Sequence, residues 1–263
     1  MFPPRVPEAS HRDGISPQNG VAALGAPVRS SNHGCDAARP ASIAAIIPTL
    51  NEGTVLSETL GRLRAIPEVC EIIVADGGSE DATEAVAAEF ACAFVRAPRG
   101  RGRQMRCGAA VARADVVMLV HADTWLPPDA GKAALACFDS RAVVGGGFWK
   151  EFRDGSPLMR GQRLKAWVRF AVGRRIMGDQ AMFIRRDVLE AIGGVPDVPL
   201  MEEFKLCRAL WKIGRLRLAD ATVTTSARRF QKRGVLRTYA LMWSIMLRYH
   251  LGATPEALAQ RYR

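Results

Sequence analysis

No Cys-x-x-Cys pair occurs among the six cysteines, which stand singly at Cys35, Cys70, Cys92, Cys107, Cys137 and Cys207. That spacing excludes a zinc ribbon or a dithiol redox site, and scattered thiols fit a reducing, cytoplasmic compartment better than a disulfide framework. Long apolar runs are also missing: the longest, residues 239–247, falls well short of the ~20 residues a membrane-spanning helix needs. Residues 1–40 are broken throughout by Pro, Gly, Ser, Asn, Arg and Asp, so they hold no apolar leader core and read as a flexible N-terminal extension. Aromatics make up 7% of the chain, too few for the stacking platforms of a nucleic-acid binder. There is no G-x-x-x-x-G-K-[ST] loop, no G-x-G-x-x-G after the first apolar run and no G-x-S-x-G elbow, so the readings as an ATPase, a Rossmann dehydrogenase or a serine nucleophile lose their main support.

What is present is an ordinary globular composition. The 263 residues are 48% hydrophobic and 24% charged, a size that suits a single domain over residues 41–263. A formal charge of +11 and a pI near 10.0 set up a field that attracts anions: nucleoside diphosphates, anionic lipid or nucleic acid.

From residue 42 the hydrophobic period alternates between that of strands and that of helices. Residues 42–47 (SIAAII), 71–75 (EIIVA), 93–96 and 116–120 (VVMLV) read as buried strands, and 55–63, 82–90 and 104–114 as helices between them. Alternating β and α segments with buried strands predict an α/β fold: a mostly parallel central sheet with helices on both faces. The second half is mixed, with strands expected at 145–152 and 181–184, helices at 129–138, 158–172 and 201–213, and C-terminal helices from about residue 233.

In open α/β sheets ligands bind beyond the carboxyl ends of the strands. Here those ends read Pro48-Thr49-Leu50-Asn51-Glu52, Asp76-Gly77-Gly78-Ser79 and His121-Ala122-Asp123-Thr124. Asp76 suits a helix-capping loop, or a carboxylate that fixes a nucleobase N–H while glycine lets the base approach. Asp123 suits a cap before Pro127, or a ligand for Mg²⁺ or Mn²⁺ bridging two phosphates. The loop from Arg96 to Arg106 carries five arginines and enters a helix; Arg101 and Gln104 stand where guanidinium forks and backbone N–H groups meet phosphate. Glu202 and Glu203 open a helix, where the macrodipole favours negative charge, or present a general base to an acceptor hydroxyl. Asp179 and Gln180 either line an acceptor pocket or form a turn.

The segments PTLNE, DGGSEDAT, RGRGRQMRCGAAVARAD, HADTWLP, GDQAMFIRRDV and PLMEEFKLCRAL, in this order, resemble family 2 glycosyltransferases from about residue 42 to the C-terminus. More narrowly, HADT, GDQA and TSARR are similar to segments of the bacterial subgroup associated with radical-SAM/selenodomain or arsenosugar loci. The resemblance implies a GT-A fold, a nucleoside-diphosphate sugar donor of UDP type, a divalent metal (Mg²⁺ or Mn²⁺) and inversion by direct displacement. It places Thr49 and Glu52, with Pro48, at the nucleoside, Asp76 and Gly77 at the base, Asp123 on the last acid of a D-x-D metal motif, and Glu203 on the catalytic base. His121 stands where many members carry aspartate, and Glu203 replaces an aspartate, lengthening its reach by one methylene.

Arg228, Arg229, Lys232, Arg233 and Arg237 precede a long apolar helix, which reads either as a core helix with a basic entry or as an interfacial helix on anionic membrane, peripheral at the inner face. Three other functions compete with transfer. A sugar nucleotidyltransferase would show a Gly/Arg loop directly after the first strand, where PTLNE stands; the others are a basic nucleic-acid binder and a catalytically silent sugar-nucleotide binder.

Overall fold

The computed structural model describes residues 40–153, 159 and 161–262. The expected extension over 1–40, apart from Pro40, and the expected helix start at Leu158 lie outside the described residues.

The first half follows the alternation: β1 (Ile43–Thr49), α1 (Gly53–Arg64), β2 (Val69–Asp76), α2 (Thr83–Glu89), β3 (Ala93–Arg96), α3 (Arg101–Val111) and β4 (Val116–Leu119). There follow β5 (Thr124–Trp125), α4 (Ala130–Ala136), β6 (Val143–Arg153), α5 (Gln162–Gly173), a 3-10 turn (Gly178–Gln180), β7 (Met182–Arg185) and α6 (Arg186–Ala191). The chain continues with α7 (Glu202–Ile213), β8 (Arg215–Ser226), α8 (Arg228–Arg233), α9 (Val235–His250) and α10 (Pro255–Tyr262).

These strands form one eight-stranded sheet in the order β3-β2-β1-β4-β7-β6-β8-β5. β1, β2, β3 and β4 are parallel, β7 runs antiparallel to both neighbours, and β6 pairs parallel with β8. Following these pairings, β6 and β8 point the same way as β1. Six strand ends, of β1, β2, β3, β4, β6 and β8, and the starts of β5 and β7 therefore meet at one edge.

β1 explains why the sheet needs helices on both sides. Ile43, Ala45 and Ile47 face one core with Leu56 and Leu60 of α1, Ala134 of α4, Phe138 and Phe148. Ala44 and Ile46 face the other, with Met105 of α3 and Leu206, Cys207 and Leu210 of α7. Successive side chains of a strand point to opposite faces, so a continuous apolar run is buried on both.

Two differences from the expected elements bear on function. β8 has no counterpart among the expected strands; its buried positions include Ala219, Ala221 and Thr225, small or polar residues that give a weak signal, and the register shifts where it passes Phe148 and Trp149. α9 is not a core helix all round. Ile245 packs with Met201, Phe204 and Leu258, while Leu236, Trp243, Leu247 and Leu251 are exposed. No helix among the described residues is long and apolar enough to cross a membrane.

Candidate functional site

At the ends of β1 and β2 the polar residues close on one another. The Asp76 carboxylate accepts from Gly78 N and Ser79 N at 2.8 Å each, from the Ser79 hydroxyl, and from Thr49 Oγ1 at 3.1 Å. Burial works against its charge, but the bonds from Ser79, Gly78 and Thr49 prevail and hold the carboxyl below its usual value. Gln104, buried on α3, donates its amide to the carbonyls of Thr49 and Ala75 and so ties the two strand ends together. A Cβ on Gly77 would sit 3.0 Å from that amide, so glycine is what lets Gln104 reach across. Half-buried Pro48 precedes this tie. Gln104, expected at the phosphates, is thus a structural stitch. Asp81, one residue before the α2 N-cap, accepts from Thr83 N at 3.0 Å, and its other oxygen accepts from Gly53 N at 2.9 Å, joining the starts of α2 and α1.

Next to this closed corner lies a cavity of ≈ 250 Å³ lined by Arg101, His121, Asp123, Lys150, Asp179, Glu203 and residues of α5, α8 and α9. It brings together Arg101, His121, Asp123, Asp179 and Glu203 of the expected site residues. Arg101, in the first turn of α3, holds Glu202 through Nε and Glu203 through Nη2. Gly102 makes this possible, since a Cβ there would lie 2.8 Å from Pro196 O and 3.0 Å from Val198 O in the chain leading to α7. Met201, just before the two acids, has φ 65°, a left-handed conformation that costs a residue with a Cβ roughly 1–2 kcal/mol.

The two carboxylates differ. Glu202 lies behind the cavity wall, with Oε2 buried and without a hydrogen-bond partner, while Glu203 lines the cavity. Burial raises the Glu203 carboxyl, Arg101 pulls it down and the neighbouring Glu202 pushes it up again, to about 7. A carboxylate poised near neutrality is suited to accept a proton. Gly178 gives it room: a Cβ there would press on Glu203 Oε1 and lie 2.6 Å from His121 Nε2.

His121 Nε2 is 3.4 Å from Arg101 Nη1. Desolvation and the Arg101 charge lower its pKa to about 3, so the imidazole is neutral. Asp123 Oδ2 is 3.3 Å from Arg228 Nε, and the same guanidinium bonds Glu52 Oε2 at 2.6 Å. Burial raises the Asp123 carboxyl despite that arginine. The described residues contain no group of three His, Cys, Asp or Glu side chains able to hold a metal ion. Asp123 would supply one carboxylate and neutral His121 one imidazole nitrogen, a pair too small to hold a divalent ion alone and better suited to Mn²⁺ than to the oxygen-seeking Mg²⁺.

Asp179 pairs with Lys150 Nζ of β6 at 2.5 Å and leaves Oδ1 without a partner. Gln180, expected beside it, is fully buried and bonds Met177 N at 3.0 Å and Phe148 O at 2.9 Å. It shapes the turn, and Asp179 alone of the pair reaches the cavity.

Sequence reasoning missed three cations on the cavity wall, Lys150, Lys165 and Arg169, and set Arg228 and Arg229 in a basic helix entry. Arg228 and Arg229 directly follow β8, so recognising that strand would have marked them as edge residues.

An eight-stranded, mostly parallel sheet in which β7 and the short β5 are reversed, opening a charged cavity at the ends of its parallel strands, is the GT-A architecture of glycosyltransferases. The sequence profile described as Glycosyl transferase family 2 matches residues 44–193, and the chain belongs to that family. An uncharacterized glycosyltransferase of Escherichia coli K12, YaiP, is 31% identical over 163 residues, 59% of this chain and 38% of that protein; the match thus spans well under half of the relative. Among solved structures, the fold is similar to the mannosyltransferase PcManGT of Pyrobaculum calidifontis in complex with GDP-Man and Mn²⁺ (TM-score 0.59, 20% identity, 86% of this chain and 70% of that one). It is also similar to S. aureus TarS (TM-score 0.57, 15% identity, 71% of this chain and 60% of that one). A third likeness is glucosyl-3-phosphoglycerate synthase from Mycobacterium tuberculosis, solved with Mn²⁺, UDP and glucosyl-3-phosphoglycerate (TM-score 0.51, 19% identity, 70% of each chain).

Proposed function

We propose that the protein transfers a sugar from a nucleoside diphosphate, of UDP type, to an acceptor hydroxyl with inversion at the anomeric carbon. One observation carries this reading: Glu203, poised near neutrality, shares a cavity with Asp123 and His121 at the edge where the parallel strands end. The nucleoside lies along Pro48, Thr49 and Glu52, with its base at the Asp76–Gly77 loop. Arg101 and Arg228 face the diphosphate, and Asp179 faces the acceptor. Asp123 and His121, together with phosphate oxygens of the donor, would hold a divalent cation, which when bound neutralises charge on the departing diphosphate. Glu203 takes the proton of the acceptor hydroxyl, that oxygen bonds the anomeric carbon, and the bond from this carbon to the diphosphate breaks with its electron pair leaving on the nucleotide. Burial first, and then the Glu202 carboxylate behind the wall, keep the Glu203 pKa high.

The likeness of HADT, GDQA and TSARR to the arsenosugar-associated subgroup is consistent with this chemistry. Contact with an anionic membrane face is part of the reading, because α5 exposes Leu164, Trp167 and Val172 and α9 exposes Trp243 and Leu247 on a strongly basic chain. Sedimentation with anionic vesicles at low salt tests it; a protein that stays in the supernatant removes it.

The transferase reading is tested by melting the protein with UDP, GDP, CDP and dTDP, each with Mn²⁺ and with chelator, because a ligand of the native state raises Tm. A metal-dependent rise with one diphosphate is expected. No rise with any of the four overturns the donor-site assignment.

A further inference from the structure

Arg169 of α5 lines the cavity with Nε and Nη2 buried and without a hydrogen-bond partner. Two guanidinium nitrogens stripped of water and left unbonded are costly, and the Nε–Nη2 edge they form matches a phosphate or carboxylate in two parallel bonds. Lys150 and Lys165 line the same cavity, while Lys150 is already matched by Asp179. Over the whole cavity, six cationic side chains face three carboxylates. Arg228 is already held by Glu52 and Asp123, whereas Arg169 Nε and Nη2 have no such partner.

The wall next to these cations is apolar. Phe152 and Phe230 meet edge to face at 5.1 Å, and Phe230 and Tyr239 at 5.2 Å. Met242 packs against the same cluster. Lys165 Nζ sits 5.0 Å over the Tyr239 ring, which places a charge and an apolar surface side by side. A bare anion has no use for such a wall, whereas hydrocarbon buried there is stabilised in proportion to its area.

We propose that Lys150, Lys165 and Arg169 form an anion subsite of the acceptor, and that the acceptor carries a phosphate-type group beside an apolar portion seated on Phe152, Tyr239 and Met242. This rests on the transferase reading and names the acceptor's chemical class. Asp179, with Oδ1 unbonded, lies between this subsite and Glu203, where it orients the acceptor hydroxyl.

The test is calorimetric titration of the full chain with hexyl phosphate, inorganic phosphate and hexanol, each with and without saturating UDP. Hexyl phosphate is expected to bind one site at least about tenfold more tightly than either of the other two, with no competition from UDP. Arg169→Gln is expected to weaken it about tenfold and Lys165→Gln, on an exposed face, by a smaller factor. The UDP-induced Tm rise, unchanged in both variants, shows that they fold. Phosphatidylcholine vesicles carrying phosphatidic acid identify the source: vesicle capture that depends on Arg169 points to a lipid, and hexyl phosphate binding without capture points to a soluble amphiphile. The proposal is overturned if hexyl phosphate is displaced by UDP, is matched by hexanol or by inorganic phosphate, or binds Arg169→Gln unchanged. A UDP response with none of the acceptor probes bound defeats the subsite alone and leaves the transferase reading standing.

Discussion

The corner at the ends of β1 and β2 and the cavity beside it contain the same kinds of residue in opposite states. In the corner, the Asp76 carboxylate has donors for both oxygens and the Gln104 amide both its acceptors. In the cavity, Asp179 Oδ1 and two nitrogens of Arg169 are buried with none, as is Glu202 Oε2 behind its wall. A buried polar group with all its bonds rigidifies a fold, and one without them is a cost retained for a ligand. The corner therefore holds its shape without a ligand, a fixed platform for the proposed nucleoside, while the cavity keeps unmet bonds for the reacting groups, and substitutions in the two should be read by different instruments.

The largest effect expected is on rate alone. Glu203→Gln should lower kcat by about 10²–10⁴ while leaving the UDP-induced Tm rise in place. It should not lower Tm at pH 8, because a carboxyl whose folded pKa is raised to about 7 costs stability as pH climbs above its unfolded value. A large Tm loss would put Glu203 with the corner. In wild type, the rate should rise with pH through about 7 and then level off; Glu202→Gln, which removes the like charge, should move that rise to lower pH. Gly178→Ala comes next, with about 10² lost from kcat as its Cβ presses on Glu203 and His121; an unchanged kcat would show that the room at Gly178 is not needed for the reaction.

Arg101→Met crosses the boundary between the regions, since it leaves two buried carboxylates without their cation. Losses of this kind run to about 3–5 kcal/mol, and the lower end is expected here because the Arg101 side chain is 37% exposed. Denaturant unfolding measures it. The smallest effect is Asp76→Asn, about 1–2 kcal/mol at pH 7, seen as a lower Tm together with weaker UDP binding. The Asp76 pKa is depressed in the fold, so its contribution is present above the unfolded value and vanishes as pH falls through the folded one. The difference between variant and wild type should shrink in acid, and a difference independent of pH would contradict the closed-corner account.

The two regions also differed in how far the sequence revealed them. The first four strands were readable because each is a short β-branched or apolar run followed by turn formers, and β3 falls on residues 93–96 as expected. β8 was not, since three of its five buried positions are Ala219, Ala221 and Thr225, leaving Leu216 and Val223 too far apart to form an apolar run. Its loss hid Arg228 and Arg229. Gln104 and Gln180 show a second limit: an amide that stitches strand carbonyls has the same composition as one that faces a ligand, and only burial separates them. Lys150 and Arg169 show a third, being single cations inside a strand and a helix with no motif around them.

Arg228 binds Glu52, 176 positions earlier in the chain, and reaches Asp123 with the same guanidinium. On a ribosome the two acids would emerge long before the arginine that neutralises them. The electrical balance of this edge is settled only after β8 has been made, so a product truncated after β5 would keep the loops of the corner but carry two uncompensated acids at the strand ends.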